Sequence, residues 1–186
     1  MSKIYLVLNA VKKYMLYSLD PVKALTDDRE QRWYCHLLLP AFGWMMFFLL
    51  VGLYRNFQSG YPVWETVFLA GKGFVLGYIC VMIASILLSF MLMLFGVFIK
   101  VDSVITCVAL SHTYMAFSMI LGLVYFIFMK GTPTTFGITG LLCTLMPIYS
   151  GIRKLAGKNP FTAPIVASVI GVLMLAGWRL VLTINL

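Results

Sequence analysis

Residues 73–99, GFVLGYICVMIASILLSFMLMLFGVFI, run from Gly73 to Ile99 without one charged side chain. An α-helix rises about 1.5 Å per residue, so about 20 apolar residues reach across the roughly 30 Å hydrocarbon layer of a bilayer. This stretch exceeds that length, holds no proline and is bounded by Lys72 and Lys100. It reads as a transmembrane helix, and the rest of the chain repeats the pattern. Four more apolar runs qualify: 33–54, closed by Arg55; 104–129, closed by Lys130; 136–152, the shortest; and 161–182, with Arg179 near its end. The expected fold class is all-α, a polytopic membrane helical bundle. Five transmembrane helices (33–186) would come after an amphipathic interfacial segment (1–32).

Composition agrees with that reading. The 186 residues are 62% hydrophobic and 11% charged, with a mean hydropathy of +0.97. Soluble domains carry about 45–50% apolar and about 25% charged residues. So few charges could not cover so much apolar surface, which excludes a soluble enzyme, a disordered segment and a secreted disulfide scaffold. Cys35, Cys80, Cys107 and Cys143 stand singly in apolar runs. They give neither a zinc spacing nor a disulfide framework, and they read as small buried hydrophobes.

The net charge of +8 would suggest nucleic acid in a soluble chain. Here the basic residues stand at the ends of apolar runs, as membrane topology determinants do, and no nucleic-acid partner is expected. With the N-terminus cytoplasmic, Arg55, Lys72, Lys130 and Arg179 fall outside and the other ten Lys and Arg fall inside. The bias predicts a cytoplasmic N-terminus and an external C-terminus. Trp33, Tyr34, Tyr61, Trp64, Tyr125, Tyr149 and Trp178 lie near span ends, where amphipathic rings favour the headgroup layer. Gly60-Tyr61-Pro62, Gly131-Thr132-Pro133 and Gly157-Lys158-Asn159-Pro160 are turn clusters, and Lys100-Val101-Asp102 is a short polar break that predicts a tight hairpin.

The N-terminal region lacks the small-residue cleavage site of a signal peptide and is expected to be retained. Ile4, Leu8, Val11, Met15 and Leu19 recur at helical spacing with Lys12 and Lys13 to one side. This predicts an amphipathic helix in the cytoplasmic interface. Asp20-Pro21 then marks a stop and restart, Asp20 as cap and Pro21 as first helical residue.

Ionisable residues at membrane depth are costly and therefore candidates for function. His112, flanked by Ser111, Thr113 and Tyr114, lies about 12 Å into the third span. There it can relay protons or bind a ligand, or else lock neighbouring helices by hydrogen bonding. His36 lies at a different depth, which argues against a shared haem, and no cofactor is expected. Lys72 can anchor by reaching the headgroups; a pair with Glu65 requires the second helix to begin that far out. No HExxH, GxSxG or glycine-rich phosphate loop occurs, so the chain is expected not to be an enzyme. Gly73 and Gly77 form a GxxxG, and Ala167 and Gly171 a looser small pair, of the kind that lets helices approach closely. Gly137, Gly140 and Pro147 mark the fourth span as irregular.

The stretch YSGIRKLAGK (149–158), with its Tyr149, Gly151, Arg153, Gly157 and Lys158, and Ala163 beyond it resemble the connection between the last two spans of the Yip (Ypt/Rab-interacting) membrane protein family. Five spans, a cytoplasmic N-terminus and a Pro21-containing segment before the first span are also similar to the family's bacterial branch. The long N-terminal region and the Asp-Leu-x-Gly-Pro-like motif of eukaryotic members are absent, so Rab-GTPase binding is not implied. The resemblance implies a small bacterial-type inner-membrane protein of a family associated with membrane organisation and trafficking, with no established catalytic residue.

The expected function is that of a non-enzymatic scaffold, accessory subunit or membrane-organising factor. It would act through a basic cytoplasmic face of Lys12, Lys13, Arg153, Lys154 and Lys158, its partners being membrane lipids and other membrane subunits or a second copy. The alternatives are a small transporter or channel subunit using the irregular fourth span and His112, and a non-catalytic subunit of a larger membrane enzyme complex.

Overall fold

The computed structural model describes residues 33–60, 62–129, 134–157 and 159–183, together with Asn9, Lys12, 15–17 and 19–23. Expectations resting on Ile4, Leu8, Val11, Lys13, Tyr61, 130–133, Lys158 and the side chains of Trp33, Tyr34, Trp178 and Arg179 lie outside the described residues. The described chain is helical, with no strand. In order come α1 (Trp33–His36), α2 (Leu38–Ser59), α3 (Val63–Leu94), α4 (Val101–Ser111), α5 (Thr113–Met129), α6 (Thr134–Ala156) and α7 (Thr162–Thr183). Four helical stretches are long and apolar enough to cross a membrane: α2, α3, α4 with α5 as Val101–Met129, and α6.

The core of α3 explains the packing. Its buried positions include Thr66, Ala70, Gly73, Gly77, Val81, Ala84, Leu88 and Leu92, three or four residues apart. The opposite face exposes Val67, Phe68, Val75, Ile79, Ile83, Phe90 and Leu94. Mostly small side chains point inward and large apolar ones outward, the reverse of a water-soluble helix. That arrangement suits a solvent as oily as leucine, in which helices associate by close backbone approach. Ser85 and Ser89 can lie inside because their hydroxyls donate to Val81 O (2.7 Å) and Ser85 O (2.8 Å) within the same helix.

Several boundaries differ from the sequence reading. Composition places the second span at 73–99; the helix instead covers Val63–Leu94, 32 residues, about 48 Å. Pro62 sets its start, having no N–H to satisfy there, and the left-handed Gly96 (φ 75°) reverses the chain after its end. The hairpin to α4 therefore turns at 95–100, and Val101 and Asp102 already belong to the first turn of α4. The first span continues past Arg55 to Ser59, where Gly60 (φ 66°) closes it with N–H donation to Asn56 O. It also splits at Leu37 from the short α1; Pro40 cannot donate to the carbonyl four residues back. The fourth span is 23 residues rather than the shortest, and Pro147 lies inside one continuous helix. The interruption falls instead in the third span, at His112.

Two apolar clusters fill the bundle. Trp44, Phe47 and Phe48 of α2 pack with Leu69, Met115 and Met119. Leu88, Leu92, Val104, Val108, Ile148, Ile152, Ile165 and Val169 form the other, bringing α3, α4, α6 and α7 together. Phe95 and Phe161, 5.2 Å between ring centroids, tie the α3–α4 turn to the start of α7.

Candidate functional site

The interruption at His112 arises from three consecutive side chains. Ser111 Oγ donates to Cys107 O (2.8 Å), His112 Nδ1 to Val108 O (2.8 Å) and Thr113 Oγ1 to Leu110 O (2.6 Å). Such bonds compete for the carbonyls of the preceding turn and bend helices. The His112 N–H correspondingly bonds three residues back, to Ala109 O (3.1 Å), giving one tighter turn. A carbonyl only accepts, so Nδ1 carries the proton and Nε2 is the acceptor of the neutral ring. His112 is 5% exposed. It stands eleven residues beyond Val101, the start of α4, about 17 Å along the axis and deeper than the 12 Å expected because α4 begins earlier.

Around His112 five helices meet at a cavity of about 30 Å³, whose walls include Trp44, Cys80, Val108, Thr144, Ile148 and Ile170. It has room for one or two water-sized molecules. Trp44, 6% exposed, has its indole N–H without a hydrogen-bond partner among the described residues. Thr144 Oγ1 donates to Leu141 O (2.6 Å). The site thus combines an unspent donor at Trp44 with an acceptor at His112 in apolar surroundings. Among the described residues no three His, Cys, Asp or Glu side chains group as metal ligands would.

The basic face is built at the far end of α6. Arg153 and Lys154 are exposed in its last turn, where positive charge also suits the helix dipole. Lys154 Nζ lies 2.7 Å from Asp20 Oδ2. One turn earlier, Gly151 leaves room for Pro21: a Cβ there would stand 3.3 Å from Pro21 Cγ and collide with Cys107 Sγ. Tyr17 is buried with Leu110, and Leu39 packs against them. The described part of the N-terminal region therefore rests against the bundle and meets the basic end of α6. Helix gives way at Asp20 and resumes at Pro21, as the sequence reading expects, while the Asp20 carboxylate pairs with Lys154. Lys12 is exposed.

The remaining sequence-derived residues separate. Lys72 and Glu65 do share α3, because the helix begins at Val63, yet the Lys72 ammonium lies over the Phe68 ring, 4.6 Å from its centroid. Gly73 and Gly77 form close contacts: added Cβ atoms would strike Phe48 and the Trp44 backbone, and the Trp44 side chain, respectively. Gly171 is different, since a Cβ there would meet nothing within 4 Å, and Ala167 is exposed. That pair does no packing within the described chain. Of the cysteines only Cys107 is buried; Cys80 is half-buried and Cys35 and Cys143 are exposed, so apolar flanks do not mean burial. The roles of Trp44 and Asp20 have no direct mark in the sequence. The Gly73–Gly77 pair signals a close contact, without naming Trp44 as the residue that fills it.

Fold and site together define a chain whose described residues are all-helical, with four helices among them fit to cross a membrane and a polar break within one. This is compatible with an integral membrane protein. Comparison with protein-family models, curated proteins and solved structures finds no match to the chain.

Proposed function

We propose that the chain is a five-span integral membrane protein that acts without catalysis, as a scaffold, accessory subunit or membrane-organising factor. Its working surface is the basic end of α6 together with the N-terminal amphipathic segment, facing the cytoplasm of a bacterial inner membrane. The fifth span is α7, 22 residues long and so about 33 Å. The ten-to-four bias of Lys and Arg supports the orientation, and the resemblance of 149–163 to the Yip family supports the role. Partners are membrane lipids and other membrane subunits or a second copy.

The observation that carries this reading is the Lys154–Asp20 ion pair. It brings the Asp20 segment against the basic end of α6, far apart in sequence, which supports reading the two as one surface. Clustered Lys and Arg near an anionic leaflet attract it by about 1 kcal/mol each. The test compares nanodiscs holding the natural chain with those holding Arg153→Gln, Lys154→Gln, Lys158→Gln. Phosphatidylglycerol retained against phosphatidylcholine should fall while the elution volume stays; unchanged retention removes the assignment. Stoichiometric partners in mild detergent extracts would separate a free-standing factor from a non-catalytic subunit of a membrane enzyme complex.

The His112 break favours a second reading, a small transporter or channel subunit. The cavity there is small, and the carboxylates of α3 and α4, Glu65 and Asp102, lie in first turns rather than at depth, where proton- or cation-driven carriers place one. Vesicle flux abolished by His112→Ala would favour transport; no flux in the natural chain leaves the scaffold reading ahead.

A further inference from the structure

We propose that a lateral groove between α5, α6 and the Leu19 segment holds one acyl chain of an anionic phospholipid, with Arg153 meeting its phosphate. The inference rests on the basic-face reading above and assigns that face a bounded lipid site. The groove encloses about 520 Å³ and is lined by Leu19, Tyr114, Thr139, Cys143, Met146 and Ser150. That volume lies within the roughly 300–1,000 Å³ of small-molecule sites. Its α6 wall is one continuous stripe. At 100° per residue, Thr139, Cys143, Met146, Ser150, Arg153 and Lys154 all fall within an arc of about 120°. The apolar wall therefore leads directly to the charged end. From Met146 to Arg153 the rise is about 10 Å, and from Thr139 about 21 Å, against about 15 Å for one leaflet of the hydrocarbon core. Lys154 is held by Asp20, so the charge offered to a phosphate is that of Arg153, exposed in the last turn of the helix.

The lining favours a lipid chain over another helix. Close helix association needs small residues that let backbones approach. Here Leu19 and Met146, 64% and 79% exposed, stand beside the smaller Thr139, Cys143 and Ser150; such long side chains hold a second backbone away and conform to a flexible hydrocarbon. Burial of the chain gives no selectivity by itself, since the alternative solvent is also lipid. Selectivity comes from the Arg153–phosphate contact and is expected to be about fivefold.

Cys143 supplies the probe. In the Cys35→Ser, Cys80→Ala chain it is the remaining exposed cysteine, since Cys107 is buried, and it accepts a bimane fluorophore. In nanodiscs, phosphatidylglycerol with brominated acyl chains should half-quench this label at about a fivefold lower mole fraction than brominated phosphatidylcholine. Arg153→Gln should equalise the two lipids and Arg153→Lys should restore the difference. Equal quenching with Arg153 in place overturns the proposal, as does protection from both lipids by a second copy or another subunit. Phosphatidylglycerol retained by the whole protein, measured in the same discs, separates the two levels. Retention that depends on the basic residues, without preference at Cys143, removes the groove alone. Loss of both removes the basic-face reading as well.

Discussion

Gly77 lies flat against Trp44: a Cβ at this position would stand 2.6 Å from Trp44 Cβ and 2.7 Å from its Cγ. Neither neighbour is a flexible side-chain tip, so the contact cannot relax cheaply. Gly77→Ala should destabilise the bundle by about 1–3 kcal/mol through overpacking, and Gly73→Ala should behave alike. Gly171→Ala, with open space beside it, should be neutral or stabilise by up to about 1 kcal/mol, because alanine is the better helix former. Thermal unfolding of a fluorescent fusion in detergent ranks the three. Similar losses at positions 77 and 171 would contradict the packing.

His112 should be held as the Nδ1–H tautomer by Val108 O, 2.8 Å away. Nitrogen-15 chemical shifts of the labelled imidazole report this directly, and an Nε2–H ring would refute it. His112→Ala leaves that carbonyl without its side-chain donor and opens a void, so it should lower stability by several kcal/mol. A loss under about 0.5 kcal/mol would show that the break does not depend on the ring.

The Lys154–Asp20 pair is half exposed, 55% and 39%, so its coupling should be only about 0.2–1 kcal/mol. A double-mutant cycle with Asp20→Asn and Lys154→Gln measures it. The coupling should largely vanish at 1 M salt, where the Debye length is about 3 Å. A salt-insensitive coupling above about 2 kcal/mol would mean the pair is far more shielded than its exposure indicates.

The proposed five crossings would place the two tails on opposite sides. An N-terminal tag should resist protease added outside intact spheroplasts, and a C-terminal tag should be digested. A thiol introduced by Asn159→Cys should react only after permeabilisation, and one introduced by Ser59→Cys should react before it. Tags sharing one side would reduce the spans to an even number.

Much of the fold was legible because bilayer thickness imposes a length on apolar runs. The runs at 73–99 and 104–129 stand out by hydropathy, and Lys72, Lys100 and Lys130 mark their limits. Boundaries were less legible. Glu65 and Lys72 read as lying outside the second apolar run, yet α3 includes both, since backbone hydrogen bonding continues until Pro62 or a left-handed Gly96 interrupts it. Pro147 reads as the irregular point, yet it lies within continuous helix while the break comes at His112. Three adjacent side chains able to bond backward are the signal, and each alone is compatible with unbroken helix.

Sequence by itself determined that the described chain would be helical and that long stretches could cross a membrane, five by its count and four among the described helices, because both depend on local composition and on the absence of water to satisfy an exposed backbone in oil. Which small residues serve as contacts was decided by the tertiary structure alone. Gly77 meets Trp44, and a Cβ at Gly171 would meet nothing among the described residues, although their local sequences are equally permissive. The same holds for Asp20 and Lys154, 134 residues apart. Contact between such positions depends on how whole helices stack, which no local periodicity specifies.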